Sequence, residues 1–279
     1  MCRIFGFRSV IKSQVHHSLI SADNAIHNQS ENHPDGWGVA YYVDSSPHVI
    51  KSEKTAIQDH LFKRVSGIVN SQTVIAHIRN ATSGQQNILN THPFQYGQWV
   101  FAHNGNIKNF STTKNKLHGL VNPHLFKYIL GDTDSEILFY ILLTELQKIQ
   151  NLTDLCTLNN LFEMNTKAIE KITKIIGPCL NQDDGPINEN YLTYILTNGQ
   201  VFFAYQGGKQ LYYSTHKSKC KERNSCPFFA EECENPTLNG KVNHLLFSSE
   251  PIQGDNVWLP MTFGQSLGVD NQMILGISS

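Results

Sequence analysis

The second residue of this chain is a cysteine, and Cys2-Arg3-Ile4-Phe5-Gly6-Phe7 reads as a strand that begins almost at the amino terminus. If the initiator methionine is removed, Cys2 carries a thiol and a free α-amine on one residue. An amine titrating near pH ~8 beside a thiol titrating near ~8.5 supplies a base and a nucleophile together. Methionine before a small second residue is the usual context for that removal. The ordinary alternative is a buried cysteine packing as a small hydrophobe on a first strand. The reactive reading constrains the fold heavily, because a thiolate needs a supporting site and distant segments must then converge on the chain's first residues.

The 22 basic and 23 acidic side chains nearly cancel, so no electrostatic footprint for nucleic acid or anionic lipid is present. Neither a run of membrane-spanning length nor a signal-peptide pattern is found, and the expected location is the cytoplasm. Thiols stay reduced there, which suits a free Cys2. None of the six cysteines forms a C-x-x-C pair. Cys220, Cys226 and Cys233, with His216 nearby, offer metal ligands at wide and irregular gaps, and a solvated loop with incidental thiols is the simpler reading.

Taken in order, Val15, Leu19, Ala22 and Ile26 recur at helical spacing between Ser13 and His27. The breaker-rich turn His33-Pro34-Asp35-Gly36-Trp37-Gly38 leads into the strand-like Val39 to Val43. It reads either as turn geometry with close packing or as a pocket wall that includes Trp37. A strand at His48–Lys51 and a helix at Thr55–Ile68 follow, then the β-branched run Thr73 to Arg79. Gln98 to His103 is a further strand, ending at Asn104-Gly105-Asn106. Thr133 and Glu136 match a capping box opening a long helix, and Leu158 to Ile176 is a helix closed by Gly177-Pro178. The tail turns to β: Tyr191–Leu196, a hairpin at Asn198-Gly199, Val201–Tyr205, Gln210–Ser214 and His244–Ser248. With no linker or repeat, one domain over residues 2–279 is the economical organisation.

Several residues have two readings. Arg79, at the mouth of a buried strand, can clamp a carboxylate or sit in an ordinary salt bridge. Asn104-Gly105 is a strong hairpin dipeptide; alternatively the Asn104 amide and the Gly105 N–H converge as an oxyanion hole. The acidic run around Asp134 caps its helix, binds a divalent cation, or accepts a substrate ammonium.

Taken together, Met1-Cys2-Arg3, Asp35-Gly36-Trp37-Gly38, Arg79-Asn80-Ala81-Thr82, Thr91-His92-Pro93-Phe94, His103-Asn104-Gly105 and Thr133-Asp134-Ser135-Glu136 resemble, in order and spacing, the motifs of the class-II glutamine amidotransferases. That family belongs to the N-terminal nucleophile hydrolases, and the first turn with Ser249-Glu250-Pro251 is similar to the stand-alone YafJ-like branch. The resemblance covers residues 2 to about 270. It implies an α+β fold: a four-layer αββα sandwich, two stacked, mainly antiparallel sheets between helical layers, with no appended synthase domain. It implies Cys2 as nucleophile with its α-amine as base, Asn104 and Gly105 as oxyanion hole, Arg79 and Thr82 on the substrate carboxylate, and Asp134 on its ammonium. Ser83 stands where some members carry histidine. The implied reaction cleaves the γ-amide of glutamine or of another γ-glutamyl compound through a thioester, without cofactor or metal. The small-molecule substrate is then joined by a separate acceptor subunit or by none. A non-catalytic binding module is the competing expectation.

Overall fold

The computed structural model describes residues 2–81, 84–183, 185–186, 188–237 and 240–278. The first half of the chain supplies strands β1 (Arg3–Gln14), β2 (Trp37–Val43), β3 (Ser46–Ser52), β4 (Asn70–Ile78), β5 (Phe94–Tyr96) and β6 (Trp99–Asn106). The second half supplies β7 (Tyr191–Thr197), β8 (Phe202–Tyr205), β9 (Tyr212–Ser214), β10 (Gly240–Lys241), β11 (His244–Ser248), β12 (Leu259–Pro260), β13 (Ser266–Val269) and β14 (Ile274–Ser278). The α-helices are α1 (Ile26–Gln29), α2 (His60–Ile68), α3 (Phe110–His118), α4 (Pro123–Phe126), α5 (Asp134–Gln147) and α6 (Leu158–Ile176).

Two seven-stranded antiparallel sheets form, in the orders β12-β9-β11-β1-β4-β2-β3 and β10-β14-β13-β8-β7-β6-β5. Three apolar clusters define the layers. Ile4, Ala40, Ile75 and Phe247 of the first sheet meet Val100, Ala102, Ile195 and Phe202 of the second. Phe5, Trp37, Val74 and Ile78 pack outward beneath Ile26 and Phe62 of α1 and α2. Phe101, Tyr194 and Phe203 pack outward beneath α5 and α6. Strands buried on both faces read as near-continuous apolar runs, as β4 and β7 do. The result is the four-layer αββα sandwich expected from the motifs.

β1 sits mid-sheet, paired with β11 on one side and β4 on the other. Strand alternation then decides which side chains meet. Ile4 faces the inter-sheet gap, and Cys2, two residues earlier, shares that parity; so do Asn104 on β6, following Val100 and Ala102, and Arg79 just beyond β4, following Ile75. The first strand therefore aims Cys2 at the second sheet.

Local physics departs from the sequence pattern in three places. The helix read over Thr55–Ile68 splits into a 3-10 turn (Ala56–Gln58) and α2, because the Asp59 side chain accepts the Leu61 N–H and starts a new helix there. The stretch from Ser13 to His27 is not one helix: a π-helical turn (His17–Ser21) and α1 are separated by residues 22–25. Asn28 and Gln29 side chains donate to the carbonyls of Ala22, Asp23 and Asn24, satisfying the broken segment, while Leu19, Ala22 and Ile26 remain buried. Asn104-Gly105 makes no hairpin either; both residues continue β6, opposite Thr193 and Leu192 of β7. Among the described residues, no helix is long and apolar enough to cross a membrane.

Candidate active site

Cys2 lies immediately before β1 and is half-buried. Its sulfur accepts the backbone N–H of Asn80 at 3.4 Å and lies 3.5 Å from the Asn80 carbonyl, to which the thiol donates. Burial pushes the thiol pKa up; the Asn80 contact and the Arg79 cation pull it down, and Asp134 pushes it up. The resting group is therefore a thiol. The charges of Arg79 and Asp134 both reach the sulfur.

The Asn80 turn is held by the segment beside it. Asp35 N–H donates to the Arg79 carbonyl at 3.1 Å, Arg79 N–H to the Gly36 carbonyl at 2.8 Å, and Ala81 N–H to Asp35 Oδ2 at 2.8 Å. Gly36 has φ +126°, a conformation that side chains disfavour, and a Cβ there would stand 2.8 Å from the Ser52 carbonyl. Asp35 therefore organises the turn that presents Asn80 to Cys2. Arg79 is buried, and its guanidinium donates to the carbonyls of Gln85 at 3.3 Å and Gly84 at 3.5 Å.

Asp134 is the first residue of α5, behind Thr133, whose hydroxyl accepts the Glu136 N–H at 3.3 Å. The capping box is half made, because the Glu136 carboxylate accepts instead from Leu130 N–H at 3.0 Å and Gly131 N–H at 2.7 Å. Asp134 Oδ2 accepts the Ile107 N–H at 2.7 Å, just past the end of β6, and Oδ1 accepts the Ser135 N–H at 2.9 Å. The helix start is thus bolted to the strand that carries Asn104.

Asn104 is buried; its Nδ2 lies 3.5 Å from Ser249 Oγ, and its Oδ1 has no partner. Ser249 Oγ also accepts the Ile4 N–H at 3.0 Å, and Ser249 N–H donates to the Ile4 carbonyl. A Cβ on Gly105 would lie 2.0 Å from the Tyr191 carbonyl and 2.2 Å from His103 Nε2, so no larger residue fits. His103 is fixed in turn: Nε2 lies 3.0 Å from the Tyr191 carbonyl, which only accepts, so Nε2 carries the proton. Nδ1 then accepts from the Ser135 hydroxyl at 2.9 Å.

Cys2, Arg79, Asn104, Gly105 and Asp134 thus gather where the first strand, β4, β6 and α5 begin or end. Thr82 lies outside the described residues. Trp37 does not wall the cleft: it faces outward, packs edge-on to Phe62 and donates through Nε1 to Asp59 Oδ2 at 3.1 Å. Sequence reasoning gave no role to the Asn80 backbone, to Asp35, or to Ser249 as the link between the sheets. No spacing signal marks Asn80, since a backbone group acts there; Ser249 was visible only as part of a motif. Among the described residues, no three His, Cys, Asp or Glu converge to hold a metal.

An antiparallel double sheet between helices, with the first strand central, defines an N-terminal nucleophile hydrolase fold. A glutamine aminotransferase class-II domain protein of Silicibacter pomeroyi shares it, with a TM-score of 0.63 over 100% of this chain and 99% of that one at 17% identity. The family model of class-II glutamine amidotransferases matches residues 1–267, and the chain belongs to that family. YafJ of Escherichia coli (strain K12) is 33% identical over 119 residues, 41% of this chain and 43% of its own. The γ-glutamyl-hercynylcysteine sulfoxide hydrolase of Mycobacterium tuberculosis is 35% identical over 72 residues, 25% of this chain and 31% of its own. Matches to the first curated relatives span 55%, 46% and 52% of their lengths, about half.

Proposed function

We propose that the chain hydrolyses the γ-amide of glutamine or of a larger γ-glutamyl compound through a thioester on Cys2. The observation that carries this reading is the setting of the Cys2 sulfur within reach of the Arg79 and Asp134 charges, with the Asn80 N–H on it. A substrate bearing a carboxylate and an ammonium at one end pairs with Arg79 and Asp134, and its γ-carbonyl is left for the sulfur. The α-amine of Cys2, freed by loss of Met1, takes the thiol proton. The S–C bond then forms as the carbonyl π pair moves to oxygen. On collapse the C–N bond breaks, and ammonia or an amine leaves with the proton. Water, deprotonated by the same amine, attacks the thioester and releases the γ-carboxylate and the thiol.

The negative oxygen needs two donors. Exchanging the two atoms of the Asn104 amide lets the Ser249 hydroxyl donate to Oδ1 and turns Nδ2 into the position now lacking a partner. Nδ2 then joins the Gly105 N–H as oxyanion donor. Thr82 completes the carboxylate grip. The mycobacterial relative is named as a hydrolase of a γ-glutamyl compound, which supports water as acceptor.

The test is free glutamate after incubation with glutamine and with glutathione, beside the mature amino-terminal residue. Release with one substrate and loss of release in Cys2→Ala support the reading. Release from neither, with Cys2 at the mature terminus, removes the substrate class.

A second reading, delivery of the ammonia to a separate acceptor protein, is favoured by exposed Ile88, Leu89 and Leu130 around a cavity of about 250 Å³. Glu136, two residues past Asp134, lines that cavity.

A further inference from the structure

The far end of β1 borders a cavity of about 710 Å³ that the chemistry above does not use. Residues Ser9 to Gln14 lie on its wall, roughly 23–40 Å along the strand from Cys2 at ~3.3 Å per residue. Its floor is the outward face of the first sheet, with Phe7, Leu246 and His244; its roof is the loop carrying Cys220, Cys226 and Cys233. Asn243 Nδ2 fastens that roof, donating to the Phe228 carbonyl at 3.1 Å and lying 3.0 Å from Cys233 Sγ.

We propose that this cavity is a second ligand site, taking a small organic anion with a flat apolar body and an N–H or O–H donor. Two polar atoms of its lining residues are sealed from solvent without a partner: His244 Nε2, on a side chain only 9% exposed, and Asn256 Oδ1. An orphaned buried polar atom costs about 1–3 kcal/mol, so two beside one cavity mark where a ligand's polar groups belong. Asn256 Oδ1 accepts only, which calls for a donor on the ligand.

Lys217 supplies the charge. An isolated β-bridge sets it against Asn256, and its cation helps, after burial, to push the His244 pKa down to about 3. The neighbouring Lys221 is already paired with Asp255 at 3.3 Å; Lys217 makes none of the described ion pairs and is half-buried. A carboxylate, sulfonate or phosphate on the ligand meets that ammonium. Phe7 and Leu246 below and Phe228 above provide apolar surface for a ring. The volume lies within the range of small-molecule sites, about 300–1,000 Å³.

The experiment titrates the full chain with 8-anilinonaphthalene-1-sulfonate and, separately, with adenosine 5′-monophosphate, by calorimetry. In parallel, N-ethylmaleimide labelling of each cysteine is followed by peptide mass spectrometry. Expected are one saturable site for at least one probe, and slowed labelling of Cys220, Cys226 and Cys233 while Cys2 labels at its usual rate. Lys217→Met should weaken binding at least roughly ten-fold, and Asn256→Leu should weaken it with the fold and glutamate release intact. Binding by the sulfonate alone assigns the site to apolar acids; binding by the nucleotide assigns it to phosphates. No saturable binding of either probe, binding indifferent to Lys217→Met and Asn256→Leu, or binding that leaves the three loop thiols unprotected would overturn the proposal and leave a cavity holding only water.

Discussion

Ser249 ties Asn104 to the strand that follows Cys2: its Oγ lies 3.5 Å from Asn104 Nδ2 and accepts the Ile4 N–H at 3.0 Å. The serine hydroxyl is the only described hydrogen-bond partner of the Asn104 side chain. Replacing Asn104 by Ala should lower kcat about 10²–10³-fold with little change in KM, as loss of an oxyanion donor does. Ser249→Ala removes one hydrogen bond that orients the amide, about 0.5–1.5 kcal/mol, and should cost roughly three- to ten-fold in kcat. A raised KM with kcat unchanged in either variant would mean that Asn104 holds the ground state instead.

Arg79 and Asp134 act on the Cys2 thiol in opposite senses, the first lowering and the second raising its pKa, on top of a larger upward push from burial. Removing the cation in Arg79→Met should therefore shift the midpoint of iodoacetamide alkylation of Cys2 to higher pH. Removing the anion in Asp134→Asn should shift it lower. The rate of Cys2 alkylation against pH, read by mass spectrometry, checks both signs. Unmoved midpoints in both variants would separate those residues from the sulfur and sink the shared-cleft reading.

What the sequence disclosed depended on the kind of signal. Leu158 to Ile176 read as a helix closed by a stop at Gly177-Pro178, and the helix has those bounds, with Thr157 as its N-cap. Asn104-Gly105 misled when read locally, because hairpin propensity concerns isolated pairs; the flanking β7 register and the space forbidden by His103 and Tyr191 keep both residues in a strand. Taken as part of a motif, the same dipeptide pointed to the cleft. Short strands such as β12 to β14 escaped notice, since two to five residues interrupted by Gly268 and Gly276 show little periodicity. Lys209 is the extreme case. Its ammonium is fully buried over the Tyr191 ring and held by the carbonyls of Gln182, Asp183 and Gly185, a cage that only tertiary structure creates.

Three buried histidines beneath Arg79 set the acid response of the fold. His77 and His92 lie with ring centroids 4.2 Å apart, and none of their four ring nitrogens makes a well-formed hydrogen bond, although the His103 backbone comes near enough to draw the His77 pKa slightly up. Burial first, then neighbouring charges, push both far below the ordinary value; burial also lowers His103. Such groups are neutral when folded and take protons near pH ~6.5 when unfolded, so the unfolded state binds more protons below that point. Stability is then complete above pH ~6.5 and falls as the pH drops, by up to about 1.4 kcal/mol per unit for each histidine. Asp59 and Glu145 are held below the usual range by hydrogen bonds that outweigh burial, so their contribution is lost only at lower pH. Tm should therefore decline between pH 6.5 and 5, and His77→Phe with His92→Phe should flatten that decline. An unchanged slope in the double variant would mean these imidazoles already exchange protons in the folded state.

Gly105 separates the cost of a displaced backbone from the cost of a lost side chain. Its N–H is the second candidate donor to the oxyanion, and a backbone donor can be moved by substitution but not deleted. A methyl at this position meets the Tyr191 carbonyl at 2.0 Å and His103 Nε2 at 2.2 Å, both rigid because they bond each other. Neither can yield without breaking the His103–Ser135 contact or the β6–β7 register, which also carries Asn104. Gly105→Ala should accordingly lose about 1–3 kcal/mol of stability, a fall in Tm of roughly 3–10 °C, together with most of the turnover. Asn104→Ala should lose comparable turnover with a far smaller change in Tm. If Gly105→Ala melts like the parent while remaining active, the strand accommodates the methyl, and the close packing of His103 against Gly105 does not fix the position of the donor.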